Sequence, residues 1–178
     1  MILVISGTNR PNSKTKIISE YIFNKLIEKG EEVNLLSFDE MEWGSIAENI
    51  YDADNHPQSL RDIDENLVIP SDKWIVVTPE YNGSMPGIFK LFIDAISMHR
   101  YADTFVGKKA MLVGVAAGRA GNLRGMEHIT GFLNYLKIHV FPQKLPISSI
   151  GKVINEEGNI DDGTQGAIND HIEGFLKM

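Results

Sequence analysis

Residues 1–26 read M-I-L-V-I-S-G-T-N-R-P-N-S-K-T-K-I-I-S-E-Y-I-F-N-K-L, and the change of texture inside this stretch decides the fold. Residues 2–5 are an unbroken apolar run with β-branched members, the pattern of a strand buried on both faces. Residues 6–13 and Thr15 are small, polar or turn-forming. After them Ile18, Ile22 and Leu26 fall on one face of a helix, with Ile17 and Tyr21 beside it. Asn12 or Ser13 can cap the start of that helix, and Gly30 suits its end. A buried strand, a hydroxyl-rich loop and a helix start make an anion site. The first amides of a helix have no internal partner, and the helix dipole puts partial positive charge there. Thr8, Ser13 and Thr15 add hydroxyl donors. Arg10 adds a fixed charge in a planar fork that suits phosphate oxygens. The same residues also make an ordinary capped turn with one solvated arginine. Neither the G-x-x-x-x-G-K-[ST] loop nor the three-glycine dinucleotide fingerprint is present.

The remainder of the chain repeats the alternation. Residues 33–38 form a second strand, 74–78 a third, 109–116 a fourth, and 138–141 open a fifth that Pro142 marks as an edge or an end of pairing. Helical patterns follow at residues 59–68, 88–98, around Met126 to Leu136, and at residues 165–176. Residues 39–57 are acidic and read as irregular, a long connection carrying Trp43 and Tyr51. Strands alternating with helices five times indicate an α/β fold, a parallel sheet covered on both faces. Ligands of such sheets sit beyond the carboxyl ends of the strands. The tails of strands one, three and four share glycine with polar or aromatic residues: S-G-T-N-R, T-P-E-Y-N-G and A-A-G-R-A-G.

Length and composition narrow the function. A chain of 178 residues suits one domain, residues 1–178. Its net charge of −7, with no clustered basic face, argues against a nucleic-acid partner. The absence of cysteine excludes disulfides, thiolate nucleophiles and cysteine metal sites, and fits a reducing compartment. No run approaches a membrane span, and the first apolar run is too short for a secretory leader, so a cytoplasmic location is expected. The five histidines lack metal-ligand spacing and read as surface or capping residues; no metal is expected. No serine sits in G-x-S-x-G.

The third-strand tail says most about the ligand. Pro79 stiffens the exit, Tyr81 offers a flat face with a polar tip, and Asn82 and Gly83 allow positive φ. A flavin ring needs such a wall with backbone donors at its edge. Gly118 can bring backbone close from the other side, with Arg119 at the rim. A Pro-Asn-Gly turn with a surface tyrosine would look the same in isolation.

Together, G-T-N-R-P-N-S-K-T and P-E-Y-N-G-S-M-P-G-I-F-K resemble the phosphate loop and the P-E-Y-N-x-S-x-P-G-x-L-K signature of the NADPH-dependent FMN reductase family. The resemblance covers residues 1–136. Thr8 stands where the family has serine, Thr15 where asparagine is frequent, and residues 39–57 lack the usual short acidic-proline pattern. The resemblance implies a flavodoxin-like three-layer sandwich with a five-stranded parallel sheet in the order 2-1-3-4-5. It implies bound FMN, with phosphate at Thr8, Arg10, Ser13, Lys14 and Thr15, and the ring against Pro79, Glu80, Tyr81, Asn82 and Gly83, with Gly118 nearby. It further implies NADPH or NADH as reductant and a small-molecule electron acceptor: a quinone, azo compound, flavin or metal ion. No side chain is expected to act as an obligatory acid or base, since the cofactor carries the chemistry. An electron carrier with FMN but no NAD(P)H activity, and a domain that kept the fold without the cofactor, are the competing readings. Residues 88–98 are apolar around nearly the whole helix. One sheet buries only one stripe, so the rest is read as a homodimer or dimer-of-dimers face, with another helix of the chain as the alternative cover.

Overall fold

The computed structural model describes residues 1–178. Strand β1 (Ile2–Ser6) leads into helix α1 (Lys14–Glu28), capped by the Ser13 hydroxyl on the Lys16 amide and closed by Gly30 at φ 80°. Strand β2 (Val33–Ser37) follows. The next stretch corrects the sequence expectation of an irregular connection. It holds a 3-10 turn at Phe38–Glu40, helix α2 (Trp43–Glu48) and a second turn at Ala53–Asn55. The Trp43 ring meets Phe38 edge-on at 5.1 Å and its indole N–H donates to the Phe38 carbonyl at 2.7 Å, while Phe38 itself packs on the distant Phe92 at 4.9 Å. Helix α3 (Gln58–Ile63) continues as a π turn, Asp64–Val68.

Strand β3 (Lys73–Pro79) is followed by α4 (Gly87–Ile96), α5 (Tyr101–Phe105), β4 (Lys109–Val115) and α6 (Leu123–Tyr135). The edge comes in two pieces, β5 (His139–Val140) and β6 (Leu145–Ile147), before α7 (Ile150–Val153) and α8 (Asp162–Leu176). The strand order is β2-β1-β3-β4-β5, all parallel, with β6 also on β4. This is the flavodoxin-like order. The fifth strand was expected to open at residues 138–141. It resumes beyond Pro142, because Val140 matches Ala110 and Leu145 matches Val113, leaving two extra residues looped out where proline has no N–H to give.

Side chains alternate across the sheet with period two. Leu3, Ile5, Trp74, Val76 and Leu112 face α3, α4 and α6; Val4, Ile75, Val77, Met111 and Val113 face α1 and α8. The apolar girth of α4 is largely satisfied within the chain. Phe92 and Phe89 meet Phe38 at 4.9 and 6.0 Å, and Phe89 also meets Phe132 at 6.0 Å. No helix is long and apolar enough to cross a membrane.

Candidate functional site

Strand register brings the first and third loops together. Ser6, the last residue of β1, pairs with Val77, and the Gly7 amide continues the ladder to the Val77 carbonyl at 2.8 Å. The backbones approach closely there: a Cβ on Gly7 would lie 3.2 Å from both that carbonyl oxygen and the Phe89 ring. Strand β3 runs two residues further, to Pro79 opposite Val115, and Glu80 donates its amide to the Val115 carbonyl at 2.9 Å. Tyr81 to Ser84 then close a two-residue turn, with Asn82 at φ 53° and Gly83 at φ 77°. Positive φ at both central positions is the backbone that this Asn-Gly pair favours.

Between these loops and the end of β4 lies a cleft of about 530 Å³, within the usual range for a small-molecule site. Arg10, Ser13, Lys14 and Thr15 line one side, Pro79, Glu80 and Tyr81 another, and Val115, Ala116, Ala117 and Ile150 a third. The amides of Asn12, Ser13, Lys14 and Thr15 donate to no group of the chain. The Thr15 hydroxyl has no partner either, though the residue is only 2% exposed. Arg10 is exposed, with no acceptor at its guanidinium. Lys16 is spoken for: its ammonium meets Asp39 at 3.1 Å and Glu40 at 2.7 Å. Burial alone would raise the Asp39 carboxyl, but the Ser37 hydroxyl and Lys16 outweigh it and hold it below the usual carboxylate range. The Glu40 hydrogen bond, against partial burial, holds the Lys16 ammonium above its own. The uncommitted cations of the cleft are therefore Arg10 and Lys14, the latter only loosely placed 3.4 Å from the Ile154 carbonyl.

Four of the residues expected at the site stand apart from this lining. Thr8 is buried behind the loop, with its hydroxyl 2.8 Å from the Tyr81 phenol and accepting the Arg10 amide at 3.2 Å. Asn82 and Gly83 form the turn above Tyr81. Gly118 departs as well. It is exposed, a Cβ there would meet nothing within 4 Å, and its carbonyl accepts the Ser149 amide at 3.0 Å. Ala116 and Ala117, just before it, line the cleft. Ile150 was missed altogether, because it arrives through β6, which the sequence did not show. Ala116 donates to the Ile147 carbonyl and Ile150 to the Ala116 carbonyl, each at 3.0 Å. Asn122, at φ 64°, was missed too; its amide group holds the Thr78 carbonyl at 2.9 Å and anchors the loop after β4.

The NADPH-dependent FMN reductase family profile matches residues 1–152. The chain belongs to that family. As a member of the NADPH-dependent FMN reductases it is an oxidoreductase whose cofactor is FMN and whose reductant is NAD(P)H. A 2-hydroxy-1,4-benzoquinone reductase of a Burkholderia species is 29% identical over 125 residues, 70% of this chain and 68% of that protein. An NAD(P)H-dependent FMN reductase of Pseudomonas aeruginosa is 32% identical over 107 residues, 59% of this chain and 57% of that protein. Among solved structures, the flavoenzyme NAD(P)H:(acceptor) oxidoreductase FerB of Paracoccus denitrificans shares the fold, with a TM-score of 0.77 at 22% identity over 99% of this chain and 97% of that one. The donor set fits the family's cofactor. Four uncommitted amides, two hydroxyls and two cations suit a phosphate monoester, and the apolar walls beyond them suit a flat ring system.

Proposed function

We propose that this chain holds FMN in the cleft between its first, third and fourth strand ends and passes electrons from NAD(P)H to a small electrophile. The amides of residues 12–15, the Ser13 and Thr15 hydroxyls, Arg10 and Lys14 hold the phosphate. Pro79, Glu80 and Tyr81 wall the ring on one side, and Val115, Ala116, Ala117 and Ile150 on the other. Asn82 and Gly83 offer their amides at its edge. Thr8 acts behind the loop rather than on the phosphate. FMN held there would supply the redox chemistry, hydride uptake from NAD(P)H and electron delivery to a quinone, azo compound, free flavin or metal ion. The protein's part is to orient the rings and exclude competing reactions; reductant and acceptor use the same open side in turn, a ping-pong order. The observation that carries this reading is the row of unpartnered amides at residues 12–15, opening on the same cleft as Tyr81.

The test is the visible spectrum of the protein saturated with FMN, before and after NADPH or NADH, and again after a quinone is added. Bleaching followed by recovery supports the reading. Flavin that binds but does not bleach would make the chain an electron carrier, and protein that takes up no flavin would overturn the site.

A homodimer is part of the same proposal. Between α4 and α6 a groove of about 220 Å³ is lined by Ile93, Tyr101, Phe132 and Tyr135 together with the Lys90–Asp94 pair, and Tyr135 is 81% exposed. Sedimentation as a monomer at micromolar concentration would refute it.

A further inference from the structure

Toward the amino-terminal ends of β3 and β4, away from the cleft, three ionisable side chains from three segments stand in one hydrogen-bonded file. Asp64, in the π turn after α3, is 1% exposed, and its Oδ2 lies 3.0 Å from Nδ1 of His99, just past α4. Nε2 of His99 lies 2.7 Å from Nδ1 of His56. Nε2 of His56 lies 3.3 Å from the Ile50 carbonyl oxygen, and His56 is 2% exposed. For His56 and His99 these positions correct the expectation of surface or capping residues; His128 and His139 are exposed as expected. The other carboxylate oxygen of Asp64 faces the Thr104 hydroxyl at 3.5 Å.

Both ends of the file are acceptors, a carboxylate and a peptide carbonyl. Three gaps separate them, so three hydrogens are needed. Two neutral imidazoles carry one N–H each. The third hydrogen must be an added proton. It makes one ring an imidazolium beside ionised Asp64, or makes Asp64 a carboxylic acid beside two neutral rings. Without it, two lone pairs face each other across one gap in a buried place, which is costly.

We propose that Asp64, His99 and His56 form a buried site for one proton, which fastens residues 50–56 to the end of α4. The surrounding charges are otherwise engaged. The Lys108 ammonium acts on Asp64 but donates to the carbonyls of Val68, Ile69 and Ser71 at 2.7, 2.8 and 2.8 Å, with Asp72 and Asp103 acting on it in turn. Arg61 of α3 donates to the carbonyls of Ala53, Asp54 and His56. Arg100 pairs with Asp103, Lys90 with Asp94, and Asp52 and Asp54 are exposed. None of these hydrogen-bonds a ring nitrogen of the file. Burial pushes the Asp64 carboxyl above the ordinary 3.8, against the pull of His99, Thr104 and Lys108, which favours a proton retained in the file.

The sign of the pH dependence follows. Where an exposed imidazole is neutral, above about pH 7.5, unfolding releases the proton that the file holds. There the folded state binds one proton more than the unfolded one, so the folding equilibrium constant falls roughly tenfold per pH unit.

Asp64→Asn separates this site from plain packing. An amide with its nitrogen toward His99 and its oxygen toward Thr104 fills all three gaps with no added proton. The FMN-saturated wild type and variant are unfolded in urea from about pH 5.5 to 9. The wild type should lose stability above about pH 7.5 with a slope one proton steeper than the variant. Identical slopes would overturn the proposal. A second measurement needs no variant: imidazole 15N and carboxyl 13C resonances of the wild type near neutral pH. Three protons shared among the four ring nitrogens and Asp64 support the site. Two ring N–H groups beside an ionised Asp64 overturn it.

Discussion

The Thr8 hydroxyl oxygen lies 2.8 Å from the phenolic oxygen of Tyr81, joining the loop after β1 to the loop after β3 across 73 residues of chain. The same Thr8 oxygen accepts the Arg10 amide at 3.2 Å, so one side chain both turns the first loop and steadies the aromatic wall of the cleft. Thr8 is 1% exposed and Tyr81 half-buried, which removes competing water from the bond. Tyr81 is thereby placed before any ligand arrives, and pre-placement of a wall is a direct contribution to affinity.

Thr8→Val keeps the shape and deletes this hydroxyl. It should cost about 1 kcal/mol of stability, the net worth of a typical buried hydrogen bond, and more if the Tyr81 phenol is left bare. FMN affinity should fall with it, while Thr8→Ser restores both. Urea unfolding of the FMN-free protein, together with FMN titration by fluorescence quenching, reads the two effects separately.

Arg10 is exposed and bonded to nothing through its guanidinium, so Arg10→Ala should leave the unfolding midpoint of the FMN-free protein unchanged. Loss of one charge-assisted phosphate contact should weaken FMN binding by about 1.5–3 kcal/mol, a factor of roughly 10 to 150. Turnover at saturating FMN should change far less. An unaltered FMN dissociation constant would remove Arg10 from the site.

Gly114 of β4 lies under the loop that follows the strand. A Cβ there would sit 2.2 Å from the Gly121 carbonyl oxygen, 2.8 Å from Met126 Cε and 3.0 Å from Asn122 Cβ. Gly114→Ala must lift that loop off the sheet, at a cost of about 1–3 kcal/mol. Because the loop's anchor, Asn122, also bonds the Thr78 carbonyl, the same variant should loosen the exit of β3. Thermal melting and amide exchange of residues 78–83 check both halves.

Asp161 caps α8 by accepting the Thr164 amide at 3.0 Å and the Thr164 hydroxyl at 2.7 Å. The backbone bond, then the hydroxyl, hold this carboxyl below its ordinary 3.8. A lowered carboxylate contributes stability that is present above the unfolded value and lost as pH falls through the folded one. Asp161→Asn keeps an acceptor but loses the charge, so at pH ~7 it should be less stable than wild type, by less than the about 1 kcal/mol expected for Asp161→Ala. The difference between wild type and Asp161→Asn should shrink in melts taken below about pH 4.

Much of the fold was legible residue by residue. The apolar runs of β1, β3 and β4, the Ser13 cap, the Gly30 stop and the Asn82–Gly83 turn each follow from the chemistry of a few neighbouring residues. So does the clustering of polar loops at strand ends, because parallel strands put all those ends on one side. The second half of the edge strand was hidden, since Pro142 reads locally as a stop. Pairing resumes only because β4 offers Val113 to Val115 beyond the looped-out residues. Ile150 was hidden with it. Order at residues 39–57 depends on Phe38 and Trp43 packing near α4, which no local pattern reports.

The sequence alone determined the alternation of strand and helix, the parallel sheet it demands, and the two motifs that name the family, because periodicity, caps and turn residues act within a few positions. Only the tertiary structure decided which polar groups meet. Thr8 met Tyr81, Ala116 and Ala117 lined the cleft, and His99 closed on Asp64 with His56 behind it. Those outcomes depend on strand register and helix docking, which are set by the packing of the whole core rather than by any stretch of it.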